Sequence, residues 1–328
     1  MSSLKQWFAI GLIATAACAV GCQSLQEKAS QQQASQEQAL PKQALQEVET
    51  RRDMVYATHD GVSLKGDYYV PKAPGKYPAL VAVHGGGWEG GIKTVYGYWG
   101  PYLAQRGIAL LAIDYRLAKP GHPSYPEAVQ DVRAAIQFVK SQSAELKIDP
   151  ERVGLMGDSA GSHLAALTAL AADKPPFSTG YPKDPYATVN PSVKAVVAAY
   201  GVYDLEQQWN HDQLSRPRDN ISAIFLGKTP IDDRRVYFEA SPMSYVASHT
   251  TPARNKTSFL LTWGTADQVV DAKQSQDFTQ ALQQAGFFVQ PVPVVNAPHD
   301  WMIDPLDDPR SHLTFVAPQI LRFLETRL

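Results

Sequence analysis
The pentapeptide Gly157-Asp158-Ser159-Ala160-Gly161 lies between an apolar run, Arg152-Val153-Gly154-Leu155-Met156, and a helix-forming run, His163-Leu164-Ala165-Ala166-Leu167-Thr168-Ala169-Leu170. A strand, a sharp turn with serine at its apex, and a helix make a nucleophile elbow. A tight strand-to-helix turn leaves no room for a Cβ beside a serine whose own backbone is strained, which accounts for the two glycines. Ser159 Oγ is then expected to project into solvent. The helix that follows aims its N-terminal dipole and free amides at negative charge developing on that side. Further apolar runs at 79–83, 109–113 and 193–199, with helical stretches between them, supply the βαβ alternation of a mostly parallel sheet. The fold class is α/β, a parallel central sheet flanked by helices.

Ala79-Leu80-Val81-Ala82-Val83 reads as a buried strand and runs directly into His84-Gly85-Gly86-Gly87-Trp88. Acyl transfer needs two or more N–H donors about 3 Å from the nascent oxyanion, and a glycine run lets the main chain come that close. Gly85, Gly86 and Gly87, together with the amide of Ala160, are the candidate oxyanion donors. Trp88 follows them directly, so its ring is expected to border the site and contact substrate.

In this architecture the remaining catalytic groups come as acid and then histidine, each on a loop after a late strand. Ser258-Phe259-Leu260-Leu261-Thr262-Trp263 is a strand, and Gly264-Thr265-Ala266-Asp267 places a carboxylate just beyond it. Gln290-Pro291-Val292-Pro293-Val294-Val295 is the next apolar run, interrupted by prolines as an edge strand tolerates, and Asn296-Ala297-Pro298-His299 follows. Asp267 is the orienting acid and His299 the base; Asp271, at the start of the next helix, and Asp300 are the rival acids. His84 braces the glycine loop and His163 packs in the elbow helix. The other histidines show no metal-ligand spacing, so neither a metal nor a cofactor is expected. Arg116, Glu127 and Asp131 read as an ion pair that fixes a loop at the start of a helix.

With these residues in view the chain resembles the α/β-hydrolase esterases, in the branch related to hormone-sensitive lipase and to bacterial feruloyl and acetylxylan esterases. The resemblance covers about residues 53 to 328. Its most specific pieces are His84-Gly85-Gly86-Gly87-Trp88, Asp114-Tyr115-Arg116-Leu117, Pro126-Glu127-Ala128-Val129-Gln130-Asp131, Asp149-Pro150-Glu151-Arg152-Val153 ahead of the elbow, and Gly264-Thr265-Ala266-Asp267. Ser162 departs from it, since bacterial members carry another glycine before the histidine. The resemblance implies a serine carboxylic-ester hydrolase that works through an acyl-enzyme on short-chain or carbohydrate-linked acyl esters. Kynurenine formamidases look similar around the glycine loop, so an amidase with the same triad is the alternative. A surface lipoprotein that keeps the fold without turnover is a third reading.

The 328 residues include 30 Lys and Arg against 32 Asp and Glu, a net charge of -2, which leaves no basic surface suited to nucleic acid. Met1-Ser2-Ser3-Leu4-Lys5 is a short positive start. Trp7 to Ala17 is an apolar stretch too short to span a bilayer, and Ala19-Val20-Gly21-Cys22 is a small-residue site ending in cysteine. Residues 1–22 thus look like a bacterial lipoprotein signal, with ordinary secretory cleavage and an uncleaved anchor as the other readings. Lipid on Cys22 implies attachment to a lipid bilayer in the cell envelope, outside the cytoplasm. The other cysteine, Cys18, departs with the leader, so no disulfide is expected. Residues 23–51, rich in Gln, Ala, Ser and Glu, have too little apolar surface for a core and form a tether. The catalytic domain spans 52–328. Within it, 205–257 is a lid-like insertion whose aromatics, with Trp88, Tyr96, Tyr98, Trp99 and Trp301, could line a pocket over Ser159, although each of them apart from Trp88 reads singly as a core residue.

Overall fold
A computed structural model of the chain describes residues 45–247 and 257–328. Cys22, the leader and residues 23–44 of the expected tether lie outside those residues, as do 248–256 of the insertion.

The chain enters the fold through β1 (Val48–His59), which turns across Asp60-Gly61 into β2 (Val62–Pro71). Both turn residues have positive φ, +50° and +79°, the conformation a two-residue hairpin of this hand requires. β1 starts four residues ahead of the expected boundary at Arg52. Val48 pairs with Pro71, and the Glu49 carboxylate takes hydrogen bonds from Arg51 and Lys147, so these polar residues gain strand partners that composition does not reveal.

Then follow β3 (Tyr77–Val83), α1 (Trp99–Ala104), β4 (Ala109–Ile113), α2 (Glu127–Ser141), β5 (Ile148–Asp158) and α3 (Ala160–Ala171). β6 (Ala195–Ala199) leads into the insertion with α4 (Leu205–Ser215), α5 (Ile221–Leu226) and α6 (Arg234–Ala240). β7 (Ser258–Gly264), α7 (Ala272–Gln284), β8 (Val289–Val294) and α8 (Leu313–Arg327) complete the order.

The described strands form one eight-stranded sheet in the order β1-β2-β4-β3-β5-β6-β7-β8. β2 runs antiparallel to both β1 and β4, and all other neighbours are parallel. Parallel strands covered by helices on both faces must be apolar throughout, and β4, β6 and β7 are buried at every position. β8 is an edge strand in which Pro291 and Pro293 are exposed while Val292 and Val294 face the core. This is the α/β-hydrolase architecture.

α3 is buried on almost every side, against β5 and β6, α2 and the 3₁₀ turn Pro242–Tyr245. Truncating a fully buried leucine here, Leu164 or Leu167, costs about 2–5 kcal/mol. That packing holds the elbow rigid. The loops after β3, β5, β7 and β8 all leave the carboxyl edge of the sheet, where open α/β sheets place their sites.

Candidate active site
Ser159 has φ +50° and ψ −120°, a region side chains avoid at a cost of about 1–3 kcal/mol. The neighbouring glycines permit it. A Cβ on Gly157 would overlap the Gly161 carbonyl, and one on Gly161 would overlap the carbonyls of Val83 and His84. The elbow is thus wedged against the end of β3. Ser159 is only 9% exposed, so its hydroxyl is largely covered instead of projecting into solvent. The reason is its company: Gly85 packs against its Cβ and His299 against its Oγ.

His299 Nε2 is 2.9 Å from Ser159 Oγ, and its Nδ1 is 2.6 Å from Asp267 Oδ2. With Asp267 as carboxylate, both contacts are satisfied by the tautomer in which Nδ1–H donates to Asp267 and Nε2 accepts the serine proton. The second oxygen of Asp267 accepts the amides of Val269 and Val270 at 2.8 and 3.0 Å, which fixes the carboxylate after β7. Neither rival acid takes this place. Asp271 caps α7 through the Lys273 amide at 2.9 Å. Asp300 is 71% exposed, 3.7 Å from His299 Nε2, too long for a hydrogen bond.

The imidazole is positioned from behind by Tyr200, whose ring centroid is 4.5 Å from it. Tyr200 itself has φ +36° at the end of β6, and its hydroxyl accepts the Met302 amide at 3.0 Å. A tyrosine closing a buried strand carries no local mark, and only the strand order brings it to His299.

The glycine loop divides its amides. Gly85 donates to Asp158 Oδ1 at 3.2 Å, which removes it from the set of oxyanion donors. Gly86 and Gly87 have φ +107° and +60°, and their amides take no acceptor among the described residues. Ala160 opens α3, where the first amides of a helix have no intrahelical acceptor. Three of the four expected donors therefore remain available. His84 braces the loop as expected: its Nδ1–H donates to the Gly85 carbonyl at 2.7 Å and its ring lies on Tyr115. Burial pushes its pKa below the ordinary histidine value, so it stays neutral.

Trp88 requires a correction. It is fully buried, stacked on Phe225 of α5 at 4.8 Å and edge-on to His163 at 5.1 Å. Its Nε1–H donates to His163 Nδ1, and His163 Nε2–H donates to the Ala240 carbonyl at the end of α6. Trp88 therefore ties the glycine loop to the elbow helix and the insertion, and offers no face to a substrate. Burial lowers the His163 pKa to about 4, in keeping with this neutral relay. Of the other aromatics, Tyr96, Trp99 and Trp301 are buried in the core, as each reads singly, while Tyr98 is 52% exposed. Ser162 donates to or accepts from Tyr203 Oη at 3.1 Å, so the departure from glycine adds a polar bond between α3 and the loop after β6.

Comparison with known proteins follows the same outline. The BD-FAE family model matches residues 67–282, a stretch that includes the glycine loop, Ser159 and Asp267 and stops before His299. The chain is 31% identical to "Esterase LipQ" of Mycobacterium tuberculosis over 216 residues, 65% of this chain and 48% of that protein. It spans about half the length of the curated relatives it matches. The esterase Est2 of Thermogutta terrifontis superposes with a TM-score of 0.67 and 25% identity, covering 87% of this chain and 94% of that one. A truncated carbohydrate esterase from gut microbiota, with a TM-score of 0.68 and 21% identity over 88% of this chain and 98% of that one, shares the fold.

Proposed function
Since this chain belongs to the BD-FAE family, we propose that it is a serine carboxylic-ester hydrolase in which Ser159, His299 and Asp267 act as nucleophile, base and orienting acid. The observation that carries this reading is the unbroken line of contacts from Asp267 through His299 to Ser159. Ser159 Oγ attacks the acyl carbon while its proton passes to His299 Nε2, and the carbonyl electron pair moves onto the oxygen. The amides of Gly86, Gly87 and Ala160 receive that oxyanion. Collapse expels the alcohol, which takes the proton from Nε2, and water repeats the sequence on the acyl-enzyme. Asp267 stays ionised throughout and stabilises the imidazolium.

The substrates we assign are short-chain or carbohydrate-linked acyl esters, in line with the esterases among its relatives. The sequence around Cys22 supports a mature enzyme held at the bacterial envelope by lipid on that cysteine. Both readings are tested on the full-length protein. Ser159→Ala is expected to abolish labelling by a fluorophosphonate and to lower kcat for p-nitrophenyl acetate by about 10⁶-fold. Labelling that survives would move the nucleophile elsewhere, and turnover of formylkynurenine in preference to every ester would make the enzyme an amidase. Cys22→Ala is expected to lose palmitate incorporation and release the protein from membranes; wild-type protein that is soluble and unlabelled would end the lipoprotein reading.

A further inference from the structure
Asp158, the residue before the nucleophile, is buried at the end of β5 with 4% of its surface exposed. Its Oδ1 accepts two hydrogen bonds, from the Gly85 amide at 3.2 Å and from Tyr96 Oη at 2.8 Å. Its Oδ2 has no donor or acceptor among the described residues and presses against the α-carbon of Gly85, where an added Cβ would stand 2.5 Å from it. We propose that Asp158 is the positioning residue of the glycine loop: its carboxylate anchors the Gly85 peptide so that the next two amides, of Gly86 and Gly87, face Ser159. This rests on Ser159 being the nucleophile.

Both partners of Asp158 are donors, so the ionised form makes both bonds. A proton on Oδ2 would meet no acceptor among the described residues, and one on Oδ1 would compete with the Gly85 amide. The loop is therefore anchored by the carboxylate and loosened by the acid. The groups facing Asp158 are Tyr96 from the 3₁₀ turn Lys93–Gly97, Tyr115 after β4, Tyr200 after β6, and His299 and Asp300 after β8. Burial raises its pKa to about 6 against the lowering pull of Tyr96, Gly85 and His299, while Asp300 adds to the rise. A carboxylate that takes its proton in that range adds one proton to the acid limb of the activity profile.

The test compares wild type, Asp158→Asn and Tyr96→Phe over about pH 4.5 to pH 9, reading kcat/KM for p-nitrophenyl acetate and the rate of inactivation by a fluorophosphonate. Wild type is expected to lose activity at low pH with a limiting log–log slope of about two. Asparagine keeps a carbonyl for the Gly85 amide and cannot titrate, so Asp158→Asn is expected to show a slope of about one. Its plateau kcat should fall about tenfold with KM little changed, because a neutral carbonyl is the weaker acceptor. Tyr96→Phe removes a donor that favours the ionised form, so its acid limb should move to higher pH. A one-proton limb in wild type that neither substitution alters would overturn the proposal while leaving the esterase reading intact. Wild type inert to both probes at every pH would instead defeat the esterase reading. Should Asp158→Asn fail to fold, the wild-type slope and the direction of the Tyr96→Phe shift decide.

Discussion

Two histidines in this molecule each rest Nδ1 on an aspartate, and what the other nitrogen meets separates their roles. His299 leans on Asp267 and presents Nε2 to a hydroxyl. His59 leans on Asp131 at 2.9 Å and presents Nε2 to a second carboxylate, Asp184, at 2.7 Å. Arg116 grips Asp131 through Nε and Nη2 at 2.9 and 2.7 Å, and Tyr181 stacks on the His59 ring at 3.7 Å. Burial opposes charge on His59, but its hydrogen bonds to Asp131 and Asp184 outweigh that and hold its pKa above the ordinary value. A histidine between two carboxylates keeps its proton and acts as a strut from β1 to α2. A histidine between a carboxylate and a hydroxyl can take one proton and return it. An Asp–His pair can therefore serve as a base only where its third neighbour has a proton to give. A cavity of about 630 Å³ beside the strut, lined by Tyr56, Phe138, Tyr181 and Tyr186 among others, touches neither Ser159 nor His299.

The largest expected contrast is in rate. Asp267→Asn should lower kcat by about 10⁴-fold, because its carbonyl oxygen stays on the Val269 and Val270 amides and its NH2 faces Nδ1 as a donor, which forces the wrong imidazole tautomer. The loss should appear in burst kinetics with folding unchanged. At the strut the loss should be of stability: Asp131→Ala leaves His59 and Arg116 buried without their shared carboxylate and should cost about 3–5 kcal/mol in urea unfolding. Its kcat per folded molecule should stay within about twofold of wild type. If Asp131→Ala instead lost rate on the scale of Asp267→Asn, the division between strut and base would be wrong.

A finer expectation concerns pH. His59 has its folded pKa raised, so its stabilising contribution is complete below the unfolded value of about 6.5 and is lost as pH rises through the folded value. The stability advantage of wild type over His59→Gln should therefore shrink as pH rises above about 6.5, by about 1.4 kcal/mol for each unit separating the two pKa values. An advantage that grew with pH would mean His59 is neutral in the fold. Smallest is Asp271→Ala, which removes the cap of α7 and should cost about 1 kcal/mol of stability with no change in rate. A rate loss there would return Asp271 to contention as the acid.

Much of the candidate site was legible because its groups are tied to local backbone. Ser159 needs glycines beside it, the oxyanion amides need a glycine run after a strand, and Asp267 and His299 each follow an apolar run at its carboxyl end. Such signals lie within a few residues of the group they mark. The Arg116–Asp131 ion pair is structural, as its place at the start of a helix implies, although Glu127 joins it only through its backbone carbonyl at 3.3 Å. His59 reads as structural, but its partners are not legible, since Asp131 and Asp184 lie 72 and 125 residues away in sequence.

The chain by itself determined the strand order's raw material, the elbow and the succession of serine, acid and histidine, because periodicity, glycine placement and proline tolerance are properties of short segments. Tertiary structure decided which face each side chain presents. Trp88 turned inward once α5 brought Phe225 against it, and Gly85 lost its amide to Asp158 once β3 and β5 lay side by side. Those outcomes depend on hydrogen bonds and close packing between segments far apart in sequence, and no local pattern encodes a partner that arrives only when the sheet closes.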